Sequence, residues 1–220
     1  MEQENNNQEV NNIQEAVYFG SPLWMDYRPE FLNSSITASE KHIKEAKKRD
    51  KELIKKTNDF GISYHSGNIY NDPEFKNLTD YIKLRSWEFM ESQGFDLTNY
   101  GLVVNEMWVQ EFSKNGGGHH DTHIHQNNHV SGFYFLKCSN ETSYPIFHDP
   151  RPAASMTKLP LKNPEEINLG MESIRFVPTP GTIMIFNSYV PHQFAVDHGK
   201  DTFRFIHWNA QFVINNLINK

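Results

Sequence analysis

The stretch Gly116-Gly117-Gly118-His119-His120-Asp121-Thr122-His123-Ile124-His125-Gln126-Asn127-Asn128-His129-Val130-Ser131-Gly132-Phe133-Tyr134-Phe135-Leu136-Lys137-Cys138 decides how the rest of the chain is read. Five of the 11 histidines lie between positions 119 and 129, after a triple glycine that regular structure does not tolerate and before an apolar, aromatic run that reads as a strand. Neutral imidazole at this density points to a metal site. His123 and His125 are one residue apart, and residues i and i+2 of an extended strand face the same way, so both rings can reach one ion.

Working outward, the segment before the histidines has a period of two: Leu102, Val104, Glu106, Trp108, Gln110 and Phe112 alternate with Val103, Asn105, Met107, Val109 and Glu111. This is a long strand leading into the loop. Further on, Pro178-Thr179-Pro180-Gly181 marks a turn and Thr182 to Phe186 an apolar strand. A third candidate ligand, His192, opens another short strand, and Phe203 to Asn209 runs back after a turn at Asp197 to Lys200. Short strands joined by turns at this spacing describe a sandwich or jelly roll. In the last of them Arg204, Ile206 and Trp208 share a face, so a guanidinium points the same way as apolar residues. Buried there it needs a carboxylate or phosphate partner, and a small anionic ligand would supply one.

Composition frames the chain. At 220 residues and 25.7 kDa it fits one domain with a real core, expected over residues 16–220, behind a leader of residues 1–15 too polar to order itself. An aromatic content of 13% suits a β-rich interior. The net charge of −6 disfavours nucleic acid as a partner. A single cysteine, Cys138, forbids an intrachain disulfide and fits a reducing setting. No apolar run approaches the roughly 20 residues that cross a bilayer, and no signal peptide is visible, so a soluble, cytoplasmic protein without membrane contact is expected.

The first hundred residues read as support. Val17 to Phe19 with Leu23 and Trp24 suggest an interrupted edge strand. Ser39 to about Asn58 is helical by composition, with Ser39 as N-cap, and its eight basic residues, interleaved with acids, form a solvated face. Asp72-Pro73-Glu74 opens a second helix that Gly94 closes. Its Phe75, Leu78, Ile82 and Phe89 recur on one face, which predicts packing against a sheet, with Trp87 and Met90 in the core.

Trp108, His123-Ile124-His125, Ser131-Gly132-Phe133-Tyr134-Phe135-Leu136, Phe147-His148-Asp149-Pro150-Arg151, Pro180-Gly181, Phe186, His192 and Arg204 together resemble a branch of the Fe(II)/2-oxoglutarate-dependent oxygenases. The resemblance covers residues 101 to 213, and the order and spacing of its motifs carry it. It implies a mainly β, α+β protein whose core, residues 99–214, is a double-stranded β-helix (jelly roll, cupin-like) supported by residues 16–98. It implies Fe(II) held by His123, His125 and His192, with 2-oxoglutarate and O2 as co-substrates. It further implies that Arg204, twelve residues after His192, grips the 5-carboxylate of 2-oxoglutarate. The reaction implied is oxidative decarboxylation of 2-oxoglutarate coupled to hydroxylation of a substrate, with a peptide side chain or small molecule favoured.

Two departures stand out. The wider superfamily has a carboxylate two residues after the first histidine, where this chain has His125; His119 and Asp121 are the alternative pair that fits His-x-Asp. Three neutral imidazoles would leave Fe(II) its full charge. Phe135 stands where the branch has tyrosine, and Ser131 on the same face can supply the missing hydroxyl. His120 and His129 read as groups behind the ligands or as loop residues. His148 and Arg151 belong either to a turn held by Asp149 or to a substrate-facing loop, and residues 152 to 172 look like an irregular insertion of the kind that shapes a pocket mouth. His42, His65, His198 and His207 have no constellation around them. Two other readings remain open: a three-histidine dioxygenase or zinc enzyme without 2-oxoglutarate, and a non-catalytic metal-binding module.

Overall fold

The computed structural model describes residues 17, 19–156 and 159–215. The expected leader at 1–15 lies outside the described residues. Among the described residues ten strands form two sheets: β1 (Leu23–Tyr27), β2 (Ser63–His65), β3 (Tyr100–Phe112), β4 (His120–His123), β5 (Val130–Lys137), β6 (Pro145–His148), β7 (Ser173–Arg175), β8 (Thr182–Asn187), β9 (His192–Phe194) and β10 (Arg204–Ile214). The larger sheet has the order β1-β8-β5-β10-β3-β2 and the smaller one β4-β9-β6-β7, and every pairing is antiparallel. The edge strand expected near the start is β1, but it begins at Leu23, and Val17 and Phe19 stand before it.

The helices differ from expectation at one end. α1 (Leu32–Arg49) begins seven residues before Ser39, after a short 3-10 turn opened by Pro29, and α2 (Lys51–Thr57) follows a break at Asp50. Ser39 is therefore no N-cap: it is buried inside α1, and its hydroxyl donates to the Ile36 carbonyl at 2.6 Å. Asp72 does cap the next helical segment, accepting from the Glu74 N–H at 3.0 Å ahead of α3 (Lys76–Glu91). From α3, Leu78, Ile82, Phe89 and Met90 are buried, with Phe75 just before them, against Val104, Met107, Ile206 and Trp208 of the large sheet.

Because side chains alternate along a strand, the large sheet has two apolar faces. On the helix side lie Met107, Val109, Tyr134, Leu136, Ile183, Ile185, Ile206 and Trp208. On the other side, between the two sheets, Phe112, Phe133, Phe135, Phe147, Phe186, Phe194, Phe203 and Phe205 pack ring on ring. Gly132 shows how tight the helix side is. A Cβ there would lie 2.1 Å from Trp208 Cζ2 and 2.5 Å from the Met184 carbonyl oxygen, so only glycine lets the indole lie flat on β5. The interior runs in cross-strand rows: Glu106, Asn209 and Ser131, then Trp108, His207 and Phe133, then Gln110, Phe205 and Phe135. The first two rows are where the histidines converge.

Candidate metal centre

His123 ends β4, His125 follows two residues later, and His192 starts β9, which pairs with β4 in the register His123↔His192. Strand pairing thus brings a residue from the histidine loop beside one 69 positions away. One nitrogen from each of His123, His125 and His192 lies within 4.8 Å of the others. His125 Nε2 and His192 Nε2 are 3.2 Å apart, close to the separation of about 3.0 Å that two ligands at a right angle show for metal–nitrogen bonds of about 2.1 Å.

Backbone carbonyls select the tautomers. His123 Nδ1 donates to Asp121 O at 2.7 Å and His192 Nδ1 to Val190 O at 2.9 Å, which leaves both Nε2 lone pairs free for a metal. Burial holds His125 and His192 neutral, with pKa values pushed down to about 3. His192 is fully enclosed by Phe133, Phe147 and Phe186, whereas His123 and His125 are half-buried, so one side of the cluster opens outward. This donor set fits a divalent transition metal: three convergent neutral imidazoles, two with their far nitrogens fixed.

The structure places the other singled-out residues as follows. His119 and Asp121 stay at the surface, 3.8 Å apart, and the Asp121 side chain is 98% exposed, so the alternative pair is set aside. His120 is packed behind His123 against Phe112, Phe194 and His65, and contacts the Gln110 amide; burial, then neighbouring His65, pushes its pKa down to about 3. His129 accepts from the Phe212 N–H at 3.1 Å and serves the backbone. Ser131 is buried in the interior, bonded to Ser188 Oγ at 2.8 Å and Asn209 Oδ1 at 2.6 Å. Arg151 pairs with Asp149 at 2.6 Å on the rim of a cavity of about 270 Å3 lined by His148, Phe147, Phe186 and Val190. The turn held by Asp149 is therefore present, and His148 Nε2 is buried there without a hydrogen-bond partner among the described residues.

Arg204 requires a correction. It does share a face with Ile206 and Trp208, but that face looks toward α1, away from the histidines. Its guanidinium donates to Glu111 Oε2 at 2.6 Å, Glu40 Oε1 at 2.8 Å and Ser39 Oγ at 2.9 Å. The carboxylate partner that a buried arginine needs comes from the chain itself. The inward positions of β10 are Phe205, His207 and Asn209. His207, read as having no constellation, is fully buried with its ring centroid 4.5 Å from that of His125 and 4.4 Å from Trp108. Alternation sets it apart from the Arg204 face, with Phe205 and Asn209, without saying which of the two sets meets the histidines.

Comparison with known proteins fits this geometry. Residues 106–205 match the family described as "Putative 2OG-Fe(II) oxygenase". The matched segment runs from the start of the first interior row to Phe205 and contains all three histidines. The fold is shared with solved proteins. AviO1 from Streptomyces viridochromogenes Tue57 superimposes with a TM-score of 0.58 at 10% identity, over 87% of this chain and 90% of that one. A prolyl-4-hydroxylase from Pseudomonas putida gives 0.50 at 12% identity, over 87% and 93%. No curated protein matches by sequence. The family implies Fe(II) with 2-oxoglutarate and O2, an oxidoreductase chemistry, and the histidine triad suits the iron. The interior departs from the implied grip in one respect: among the described residues, Arg204 is not there to meet the far carboxylate of 2-oxoglutarate. No described helix is long and apolar enough to cross a membrane.

Proposed function

We propose that the chain is an Fe(II)- and 2-oxoglutarate-dependent hydroxylase that oxidises a peptide side chain or a small molecule in the cytoplasm. The observation that carries this reading is the convergence of His123, His125 and His192 inside a β-helix of the oxygenase type. Three ligands on one face of an octahedral ion leave three positions, enough for a bidentate 2-oxo acid and O2. Bound there, iron with these co-substrates supplies the oxidation of a C–H bond, with succinate and CO2 as the other products.

The chain's own residues set the stage for it. Asp121 and Val190 carbonyls hold two ligands in the metal-binding tautomer. Phe133, Phe147 and Phe186 close the inner side of His192 to water. The half-buried side at His123 and His125 is where substrate approaches, and a groove lined by His65, Asn68, Asn105, Glu106 and Trp108 lies nearby, its Trp108 touching His207. Those lining groups are hydrogen-bonding and bear little charge, which supports a polar substrate over a phosphate-rich one. Cys138 is a free thiol whose pKa burial pushes up to about 12, consistent with a reducing compartment.

The occupied Arg204 favours a second reading, a three-histidine metal dioxygenase that does not use 2-oxoglutarate. Anaerobic titration with Fe(II) and then 2-oxoglutarate separates them. A visible metal-to-ligand charge-transfer band supports the hydroxylase and warrants screening substrates by succinate release. Iron binding without a band at any co-substrate concentration sinks it in favour of the second reading.

A further inference from the structure

Beside the three ligands the interior holds polar groups that metal binding does not account for. Asn209, nearly inaccessible, sits between three of them: its amide group is 3.3 Å from His125 Nδ1, 2.6 Å from Ser131 Oγ and 3.2 Å from His207 Nε2. His207 Nδ1 is buried with no hydrogen-bond partner among the described residues. A buried imidazole nitrogen left unpaired is costly, so this atom calls for a partner that the described side chains do not supply.

Metal binding fixes what that atom is. When His125 gives its Nε2 lone pair to a metal, its Nδ1 carries the proton and needs an acceptor. The group within reach is the Asn209 amide, which must then present its oxygen to His125 and its NH2 to Ser131 and His207. Glu106, whose carboxylate accepts from the Asn209 amide nitrogen at 2.9 Å in this structure, is exposed, and this turn of the amide requires that it exchange that bond for one to water. His207 Nε2 now accepts, so Nδ1 becomes a buried N–H donor. Ser131 accepts from Asn209 and donates to Ser188, which leaves the Ser188 hydroxyl proton free as a second donor. Loading the metal thus turns this wall into one that offers donors only.

Charge points to the same ligand. Fe(II) with three neutral imidazoles keeps both positive charges, and 2-oxoglutarate is a dianion, so metal, ligands and co-substrate together sum to zero with no guanidinium. The carboxylate ligand missing at position 125 and the arginine missing from the interior carry opposite charges, and their joint loss leaves the total unchanged. One row deeper Phe205 and Phe135 fill the space, which confines a ligand to the level of His207 and Asn209.

Resting on the reading of the chain as a 2-oxoglutarate oxygenase, we propose that the far carboxylate of 2-oxoglutarate is held by neutral donors, His207 Nδ1–H and the Asn209–Ser131–Ser188 chain, and that Arg204 takes no part. The test is the dissociation constant of 2-oxoglutarate on anaerobic Fe(II)-loaded protein, read from the charge-transfer band and by calorimetry without turnover. His207→Leu raises it about tenfold or more while Fe(II) still binds, as expected for loss of a hydrogen bond to a charged group. His207→Asn, whose amide nitrogen takes the place of Nδ1, keeps it within about threefold of wild type, a rescue that a purely structural role would not give. The double variant Arg204→Met/Glu111→Leu, which removes the ion pair without stranding a charge, binds as wild type does. Wild-type affinity in His207→Leu, or lost affinity in the double variant, overturns the proposal while leaving the oxygenase reading intact. Absence of any band in wild type refutes that reading, and the proposal falls with it.

Discussion

Replacing Arg204 by methionine separates a structural arginine from a ligand-binding one. The side chain is 4% exposed and its main partner Glu111 is 5% exposed, so the variant strands a carboxylate inside the protein. Removing one member of a buried pair costs about 3 to 5 kcal/mol. Here the cost falls at the lower end, about 3 kcal/mol, because Lys47 stays 2.6 Å from Glu111 and Glu40 is half-exposed and keeps Lys137 at 2.8 Å. In a chain of this size that lowers the melting temperature by about 6 to 12 °C. Adding Glu111→Leu restores stability to within about 1 kcal/mol of wild type, since an apolar pair of similar volume does as well as a buried ion pair. Urea unfolding of the metal-free proteins measures both, with anaerobic Fe(II) titration as the functional control. A single variant that melts like wild type but no longer binds 2-oxoglutarate would show that the guanidinium leaves Glu111 to face the metal, and the reasoning would fail.

Three further outcomes are expected. His123→Ala, His125→Ala and His192→Ala each lower Fe(II) affinity at least about 100-fold, beyond the 10- to 100-fold that loss of a group behind a ligand costs, whereas His119→Ala and Asp121→Ala leave it unchanged in equilibrium dialysis. The metal-free protein loses stability as pH falls from about 6.5 toward 3: His120, His125 and His192 have folded pKa values near 3 against an ordinary 6.5, so the unfolded chain takes up protons first. Denaturant midpoints that stay flat across that window would contradict the burial of these rings. Gly132→Ala drives a methyl into Trp208 and the Met184 carbonyl, and costs about 3 kcal/mol in a thermal or urea melt.

What the sequence disclosed and what it hid have a common physical cause. His-x-His before an aromatic strand pointed to two neighbouring imidazoles, and His123 at the end of β4 and His125 two residues beyond it do converge with His192 through the register His123↔His192. Asp72-Pro73-Glu74 likewise foretold its cap. Ser39 misled because a serine amid charges resembles an N-cap, while here it serves a buried guanidinium partway along α1. The side to which β10 presents Arg204 was illegible for a deeper reason. A strand of a sheet covered by helices on one face and a second sheet on the other is apolar at both parities: Ile206 and Trp208 face the helices and Phe203 and Phe205 the interior. Periodicity separates these two sets without saying which one faces the metal. His207 was missed by that one step.

The donor set of the centre has a consequence for which ion the protein meets first. Three imidazole nitrogens without a carboxylate oxygen carry no preference for ferrous iron; affinity at such a site rises toward nickel and copper, with zinc close behind. Selection then falls to supply: the ion found in the centre reflects which metals the surroundings keep free, and an iron enzyme of this construction depends on a compartment that holds copper and zinc scarce.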